Sequence, residues 1–269
     1  MITGGTYWQQ AMPGDFAVVG DPIGHSWSPR IHQAAYQALG LNLRYEAIHV
    51  PREEFNEAMA SLQELGYRGV NVTLPLKLEA YAWAESADAE CRKFESANTI
   101  ELATRRATNT DGQGFLDSLG SLKVPAQGRV LLLGAGGTAQ SLARVLTEAG
   151  YELAIYNRTA SKAESLADKV GAEFLAQPSV AGFDLILNTT SAGLSNDSMD
   201  IPWGQPKPGA LVYDVIYGDL PSPLLREAAL AGFRTVDGRY MLVAQAARSF
   251  EWWLQQPAPR EAMMQAVTS

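Results

Sequence analysis

Short apolar runs alternate with helical patterns along this chain, and this alternation narrows the folds that it can adopt. One intervening segment places Phe55, Met59, Leu62 and Leu65 three or four positions apart, which predicts a helix with one buried stripe. Strands that alternate with helices build a parallel sheet covered by helices, so we predict an α/β fold. The predicted strands are residues 16–20, 69–73, 129–134, 153–157, 184–188 and 211–215.

The pattern restarts near residue 113, which predicts two α/β domains with a cleft between them. Residues 1–112 are expected to form a substrate-binding domain, and residues 113–238 a Rossmann-type dinucleotide-binding domain with a parallel sheet. The last segment, 239–269, contains YMLVAQAARSFEWWLQ, which is apolar around much of a helix. We expect this helix to pack back on the first domain.

Composition excludes several classes of function. The 269 residues are 46% hydrophobic and 19% charged, and no apolar run approaches the roughly 18 residues of a membrane span. Residues 1–16 lack the pattern of a signal peptide, and the single cysteine, Cys91, fits a reducing cytoplasm. A net charge of −8 without a basic run argues against nucleic-acid binding. We expect a small-molecule substrate and, because His25, His32 and His49 lack ligand spacing, no metal.

Residues 134–139 read GAGGTA, directly after a predicted strand and at the start of a predicted helix. Gly134 permits a tight turn, Gly136 lets the backbone approach a pyrophosphate, and Ala139 lets the helix pack closely on the strand. A glycine turn without a ligand is the alternative, but the flanking strand and helix favour a dinucleotide site. Its expected residues are Gly134, Ala135, Gly136, Gly137, Thr138 and Ala139.

The end of the next strand bears on the choice between NAD and NADP. An NAD site usually has an Asp or Glu there, whereas this chain has Asn157, Arg158, Thr159 and, one turn later, Lys162. A guanidinium can bind a 2′-phosphate and stack on adenine. Two solvated cations are the alternative, but cations beside a helix start are unfavourable without an anion. The segment therefore favours NADP(H).

Two further segments suggest catalytic chemistry. Lys77 follows a predicted strand at the edge where ligands of open α/β sheets bind, and Asp111 lies in TNTDGQG at the end of the first domain. A lysine can bind a carbonyl or hydroxyl oxygen and exchange its proton, and an aspartate can orient that lysine. A solvated lysine and a turn aspartate are the alternatives.

The segment GDPIGHSWSPRIH places Ser26 and Ser28 beside a predicted helix start. Their hydroxyls can bind a carboxylate together with helix N–H groups. The alternative is structural, with Ser26 in a turn and Ser28 as the helix cap, followed by Pro29 at the first position and Gly40 at the exit.

The chain resembles the shikimate dehydrogenases over nearly its whole length. The segments that carry the resemblance, in their order, are GDPIGHSWSP, GVNVTLPLK, SANT, NTDGQG, GAGGTA, NRT, NTTSAG, DVIY and GRYMLVAQAARSFEWW. Gly218 and Asp219 replace the usual Asn–Pro pair, and Ser222 replaces the usual threonine. These departures bear on the substrate more than on the type of reaction.

The resemblance implies a role for each matching residue. It makes Lys77 and Asp111 the catalytic pair and Ser26 and Ser28 ligands of the substrate carboxylate. It implies that Thr73, Asn98 and Gln245 bind ring hydroxyls and that Tyr217 lines the substrate side. Gly238 and Met241 would lie near the nicotinamide. The adenosine 2′-phosphate would be bound by Asn157, Arg158, Thr159 and Lys162.

The resemblance implies NADP-dependent, reversible reduction of 3-dehydroshikimate to shikimate. We expect a cytoplasmic protein, and a monomer or a homodimer would use the same site. The rivals are a quinate/shikimate dehydrogenase using NAD and an amino-shikimate dehydrogenase. Arg158 argues against NAD. A folate-dependent dehydrogenase explains neither the paired serines nor NTDGQG. An inactive NADP-binding sensor is a further alternative, disfavoured because both Lys77 and Asp111 are retained.

Overall fold

The structure is a computed structural model that describes residues 5–190 and 199–268 of the chain. The last three residues of the NTTSAG segment, 191–193, lie outside the described residues. The chain divides into two compact units. The first consists of Met1–Gly114 and Leu242–Ser269, and the second of Phe115–Met241.

Strands and helices alternate along most of the described chain. The strands are β1 (Thr6–Tyr7), β2 (Phe16–Gly20), β3 (Tyr45–His49), β4 (Gly69–Val72), β5 (Ser86–Ala87), β6 (Thr99–Glu101), β7 (Arg106–Thr108), β8 (Arg129–Leu133), β9 (Glu152–Tyr156), β10 (Glu173–Phe174), β11 (Leu185–Asn188), β12 (Leu211–Asp214) and β13 (Arg234–Val236). The helices are α1 (Ser28–Ala38), α2 (Phe55–Glu64), α3 (Lys77–Trp83), α4 (Ala89–Phe94), α5 (Asp111–Ser121), α6 (Gly137–Glu148), α7 (Ala160–Val170), α8 (Pro223–Leu230), α9 (Arg239–Leu254) and α10 (Arg260–Thr268).

The second unit contains a parallel sheet in the order β10-β9-β8-β11-β12-β13. Numbered from β8, this order is 3-2-1-4-5-6, which is the dinucleotide-binding topology. The side chains of β8 alternate between two apolar clusters: Val130 and Leu132 enter one, Leu131 and Leu133 the other. Both faces of the sheet are therefore buried, as a continuous apolar strand requires. The predicted Rossmann-type parallel sheet is confirmed.

The first unit contains a mixed sheet in the order β1-β3-β2-β4-β6-β7-β5. Strand β6 is antiparallel to both β4 and β7, whereas the other neighbours are parallel. The sequence pattern indicates only a parallel rhythm and does not reveal the β6–β7 hairpin. These strands are three residues long, too short for a periodic signal, and Arg105, with φ +51°, lies in the turn between them.

Strand β2 buries both of its faces. Ala17 and Val19 enter one apolar cluster, while Phe16 and Val18 enter another. The second cluster also contains Phe250 of α9 and residues of α1 and α10. The helices of the C-terminal segment thus complete the core of the first unit, and α10 packs on α1.

Candidate active site

Lys77 and Asp111 form an ion pair within the first unit. The Nζ atom of Lys77 lies 2.5 Å from Oδ2 of Asp111, and about a quarter of each side chain is exposed. Lys77 is the first residue of α3 and Asp111 the first residue of α5. A cation at a helix start interacts unfavourably with the helix dipole, whereas an anion there interacts favourably. The attraction of the Asp111 carboxylate offsets the unfavourable interaction of Lys77 with the start of α3. Enough exposure remains for protons to exchange with water.

Asn98 orients the carboxylate of Asp111. Its Nδ2 donates to Oδ1 of Asp111 at 2.8 Å, which leaves Oδ2 for Lys77. The direction of this amide is set by Thr110, because the backbone N–H of Thr110 can only donate and contacts Oδ1 of Asn98 at 2.9 Å. The second Nδ2 hydrogen contacts the Thr110 hydroxyl at 2.9 Å. Asn98 is therefore buried with partners for both amide hydrogens and for Oδ1. It holds Asp111 by Oδ1, the carboxylate oxygen that does not face Lys77.

Ser26 lies in the loop between β2 and α1, and Ser28 is the first residue of α1. The backbone N–H of Ser28 donates to Oγ of Ser26 at 3.3 Å, and α1 begins at Ser28. The expectation that Ser28 caps the helix is wrong: Trp27 occupies the cap position, and the hydroxyl of Ser26 meets the helix N–H instead. A serine two residues before a free N–H group can do this because its short side chain folds back over the turn. The helix ends at Ala38, and Gly40, with φ +63°, follows the cap residue Leu39.

Backbone hydrogen bonds connect the segment of Thr73 to the end of β2 and to the loop that contains Ser26. The N–H of Asp21 donates to the carbonyl of Leu74, and the Thr73 N–H donates to the carbonyl of Val19. A Cβ at Gly20 would lie 2.6 Å from Cγ2 of Thr73, so the two segments approach too closely for a side chain. The loops after β2 and β4 are therefore held side by side, and Thr73 is half-buried there.

Gln245 lies on α9 where that helix approaches the start of α5. A Cβ at Gly114 would lie 2.7 Å from Cα of Gln245, so glycine is required for this approach. The Nε2 of Gln245 donates to the carbonyl of Leu242 in its own helix, at 2.8 Å. Gln245 reaches the Asp111 side indirectly, because Ser249 bonds both its carbonyl and the Thr110 hydroxyl.

In the second unit, GAGGTA joins β8 to α6. Gly134 has φ +120°, and a Cβ there would lie 2.6 Å from Oγ1 of Thr189. A Cβ at Gly136 or Gly137 would meet no described atom within 4 Å, and Thr138 is exposed. The structure describes no side chain capping α6. Its first N–H groups can therefore donate hydrogen bonds to a phosphate, while the buried Ala135 and Ala139 pack inward.

The segment after β9 presents positive charge at the start of α7. Arg158, Thr159 and Lys162 are exposed, and no ion pair to either cation occurs among the described residues. The first turn of α7 has no acidic residue, and Thr159 makes no side-chain cap bond. Asn157 donates through Nδ2 to the Thr159 carbonyl at 3.0 Å. Without a carboxylate to bond a ribose hydroxyl, this arrangement fits a phosphate better than a free ribose.

The segments after β12 and β13 are joined at Gly238. A Cβ at this position would lie 2.1 Å from the carbonyl oxygen of Val215, and its N–H donates to the carbonyl of Ile216 at 3.0 Å. Tyr217 is half-buried in the same loop, and Met241 packs against the apolar cluster around α6. Gly238 is therefore required by close packing of the backbone.

Asp214 is a buried carboxylate that sequence reasoning missed. It accepts hydrogen bonds from Oγ of Ser222 at 2.6 Å, Nδ2 of Asn188 at 3.0 Å and the N–H of Ile216 at 3.1 Å. Desolvation nevertheless raises its pKa above the ordinary value. The cluster fixes the loop that carries Tyr217. The sequence signal for this residue is an aspartate at the end of an apolar strand.

Three family models match successive parts of the chain. The shikimate dehydrogenase substrate binding domain matches residues 18–100, the shikimate/quinate 5-dehydrogenase model residues 119–192, and the shikimate 5′-dehydrogenase C-terminal domain residues 238–268. The chain is 41% identical over 254 residues to the shikimate dehydrogenase (NADP(+)) of Methylobacillus flagellatus, covering 88% of this chain and 93% of that protein. The chain belongs to the shikimate dehydrogenase family.

Solved structures with this fold have more than one named activity. The shikimate 5-dehydrogenase of Thermus thermophilus, in complex with NADP(H) and shikimate, has a TM-score of 0.84 and 33% identity, covering 94% of this chain and 98% of that one. The ligand-free 5-ketofructose reductase of Gluconobacter sp. strain CHM43 has a TM-score of 0.81 and 29% identity, covering 94% and 96%. The fold of the shikimate dehydrogenase family therefore also occurs in a reductase named for a different substrate.

Two features of other classes of protein do not occur in the described chain. No helix within residues 5–190 and 199–268 is long and apolar enough to cross a bilayer. Nor does the described part of the chain contain three or more His, Cys, Asp or Glu side chains grouped to hold a metal ion.

Proposed function

We propose that this protein is an NADP-dependent dehydrogenase that reversibly reduces 3-dehydroshikimate to shikimate. The observation that carries the proposal is the Lys77–Asp111 pair, held at 2.5 Å and oriented by Asn98, in a member of the shikimate dehydrogenase family. The proposal assigns substrate binding to the first unit and NADP(H) binding to the second.

In the proposed reaction, Lys77 supplies the proton that the reacting oxygen gains. Reduction of a ketone to an alcohol needs one hydride and one proton, and bound NADPH supplies the hydride. Lys77 donates the proton from Nζ to the forming alkoxide, and its neutral amine regains a proton from water, to which it is partly exposed. Asp111 keeps Nζ in place through the ion pair.

The remaining first-unit residues are proposed to orient the substrate. Ser26 and Ser28 offer hydroxyls beside the start of α1, where the helix N–H groups favour a carboxylate. Thr73 and Gln245 are proposed to bind ring hydroxyls. Both amide hydrogens of Asn98 are already used, so Asn98 would bind substrate only by giving up its bond to Thr110 or Asp111.

The second unit is proposed to bind NADP(H) along the carboxyl ends of its strands. The open backbone at Gly136 and Gly137 suits a pyrophosphate, and Arg158 and Lys162 suit a 2′-phosphate. Both cations are exposed and the first turn of α7 has no carboxylate, which supports NADP over NAD. A cytoplasmic location and a monomeric or homodimeric state complete the proposal.

The second candidate function is a reductase that acts on another carbonyl substrate. The family model that covers residues 119–192 includes quinate enzymes in its name, and one structural neighbour is a 5-ketofructose reductase. The departures at Gly218 and Asp219 lie beside Tyr217, which is proposed to line the substrate side. The ring carboxylate is the discriminating group, since shikimate and quinate have one and 5-ketofructose does not.

The test is a steady-state matrix of substrates and cofactors. Oxidation of shikimate, quinate and amino-shikimate is measured with NADP and with NAD, and reduction of 5-ketofructose with NADPH. We expect the highest kcat/KM for shikimate with NADP. A higher value for quinate with NAD would reject both the substrate and the cofactor, and NADPH binding without any turnover would favour a sensor.

A further inference from the structure

The hydroxyl of Ser249, on α9, lies inside a buried polar cluster of the first unit. The cluster consists of Tyr45, Asn71, Asn98, Thr99, Thr110 and Ser249, all of them buried. Buried polar groups must find partners, and in a low-dielectric interior each bond constrains the next. The cluster therefore has little freedom to rearrange. Asp111 is not part of it but is hydrogen-bonded to its member Asn98.

Ser249 makes four contacts in this cluster. Its Oγ donates to the carbonyl of Gln245 at 3.1 Å and accepts from Nδ2 of Asn71 at 2.9 Å. It also lies 2.8 Å from Oγ1 of Thr99 and 3.2 Å from Oγ1 of Thr110. The hydroxyl thus joins β4, β6, the segment before α5 and the turn of α9 that carries Gln245.

The amide of Asn71 has a fixed orientation in the cluster. The Nδ2 of Asn71 faces the carbonyl oxygen of Asn98 at 3.0 Å, which can only accept, so Oδ1 of Asn71 faces Tyr45 and receives its hydroxyl at 2.7 Å. Thr99 donates to Oδ1 of Asn98 at 2.9 Å. The Nδ2 of Asn71 also contacts Oγ of Ser249 at 2.9 Å and Oγ1 of Thr99 at 3.0 Å.

Ser249 therefore touches both hydroxyls that bond the side chain of Asn98. Thr99 and Thr110 each contact the Asn98 amide, and Asn98 in turn holds Oδ1 of Asp111. Loss of the Ser249 hydroxyl would leave one Asn71 amide hydrogen without its acceptor and would remove one contact of each threonine hydroxyl, both of which also contact Oδ1 of Asn98. The nearest available partners are the atoms that now hold Asn98.

We propose that Ser249 is a positioning residue that keeps Oδ2 of Asp111 directed at Lys77. This inference rests on the proposed function, because it assigns Ser249 a part in the Lys77–Asp111 chemistry. Ser249 makes no hydrogen bond to Lys77 or Asp111 among the described residues, so it acts through Thr99, Thr110 and Asn98. Catalytic geometry is sensitive to displacements well below 1 Å, which makes such an indirect effect measurable.

The first test compares two substitutions at this position. Ser249→Ala is expected to lower kcat for shikimate oxidation roughly tenfold while KM changes less than about twofold. Ser249→Thr keeps a hydroxyl that can still bond the carbonyl four residues earlier, but its extra methyl overpacks a fully buried position. It is expected to lose melting temperature and keep a kcat close to that of the parent.

A purely structural role predicts a different pattern. In that case kcat would follow melting temperature in both variants, and Ser249→Thr would be the more impaired enzyme. The matched control is Ser118→Ala, which removes another buried helix hydroxyl, bonded to the carbonyl of Phe115 in the second unit. Its kcat is expected to equal that of the parent.

A double-substitution cycle tests the route through Asp111. In an Asp111→Asn background, Ser249→Ala is expected to cause less than about a twofold further loss of kcat, because the group that it positions is already altered. A full tenfold loss in that background would show that Ser249 acts elsewhere and would overturn the proposal.

A second readout separates this proposal from the proposed function. The acetylation rate of Lys77 by acetic anhydride, measured by peptide mass spectrometry relative to Lys123, reports its ion pair without turnover. Ser249→Ala is expected to raise this rate, because a displaced Asp111 carboxylate no longer holds Nζ of Lys77 and leaves it more accessible to the reagent. An inactive parent with faster labelling of Lys77 in Ser249→Ala would reject the function and support the positioning role. Parental labelling together with parental kcat would overturn the positioning role and leave the function standing.

Discussion

The replacement Arg158→Ser tests whether the start of α7 recognises a 2′-phosphate. Arg158 is exposed, makes no ion pair among the described residues, and follows a strand whose end lacks a carboxylate. NAD and NADP differ only by the phosphate, so each enzyme variant contains its own control. We expect kcat/KM to fall with NADP and to change less than about twofold with NAD.

The size of the effect follows from exposure and charge. Unit charges about 4 Å apart attract by about 1 kcal/mol in water and about 4 kcal/mol where the solvent is partly excluded. Arg158 is exposed, so the lower part of this range applies, and hydrogen bonds to a charged phosphate add to it. Because Lys162 remains, we estimate a loss of about 2 kcal/mol, or about 30-fold in the NADP/NAD ratio of kcat/KM.

The assay measures kcat/KM for both cofactors at saturating shikimate and at two ionic strengths. The matched control is Lys169→Ser, which removes an exposed cation from the last turn of the same helix and should leave the ratio unchanged. The effect of Arg158→Ser should shrink at high salt, as expected for exposed charges. Equal losses with NADP and NAD would refute the reasoning, because they would place Arg158 in contact with a part common to both cofactors.

Three further predictions concern proton transfer, pH and the cysteine. Lys77→Met should lower kcat by roughly 10²- to 10⁴-fold with a smaller change in KM, measured by NADPH absorbance; an unchanged kcat would exclude its assigned role. Desolvation raises the pKa of Asp184, but hydrogen bonds from Lys207 and the Arg129 N–H outweigh it, so the pKa is lowered overall. The ionised Asp184 carboxylate therefore stabilises the fold above its ordinary pKa of 3.8, and this stabilisation is lost as the pH falls through the lowered pKa of the folded state. In urea unfolding, Asp184→Asn should be less stable than the parent at pH 7. The difference between the two proteins should shrink as the pH falls below 3.8. Burial raises the pKa of Cys91 to about 12, so a thiol reagent at about pH 8 should label it only upon unfolding; rapid labelling of the native protein would contradict its burial.

Elements with strong local signals were predictable from the sequence. Strand β8 is a continuous apolar run that leads directly into a glycine turn and a helix, and its bounds differ from the predicted ones by one residue. The α/β fold and the family are confirmed as well. The hairpin β6–β7 and helix α10 were missed, because three-residue strands and a short terminal helix have little periodicity of their own.

The candidate site was predictable only in part, for a physical reason. Lys77 follows a recognisable strand end, Asp111 lies in a glycine-rich segment at the end of the first domain, and both are residue types that proton transfer requires, so a pair could be anticipated. Asn71 and Ser249 are 178 positions apart, Asn71 in an apolar strand and Ser249 in a helix that contains several other polar residues. Nothing local relates two such residues, because their bond exists only after β4 and α9 have packed together. The roles of the individual site residues stay predictions until the variants are measured.

The division of the first unit into two stretches of sequence affects how the chain is made. Residues 115–241 leave the ribosome as one continuous stretch and contain their own sheet and apolar clusters, so they can fold during synthesis. The strands around Phe16 emerge earlier, yet the cluster that covers them includes Phe250 and Met263. Closing so long a loop is slow, so the first part of the chain to be synthesised should be the last to acquire its native core. During that interval its exposed apolar strands are the natural targets of chaperones.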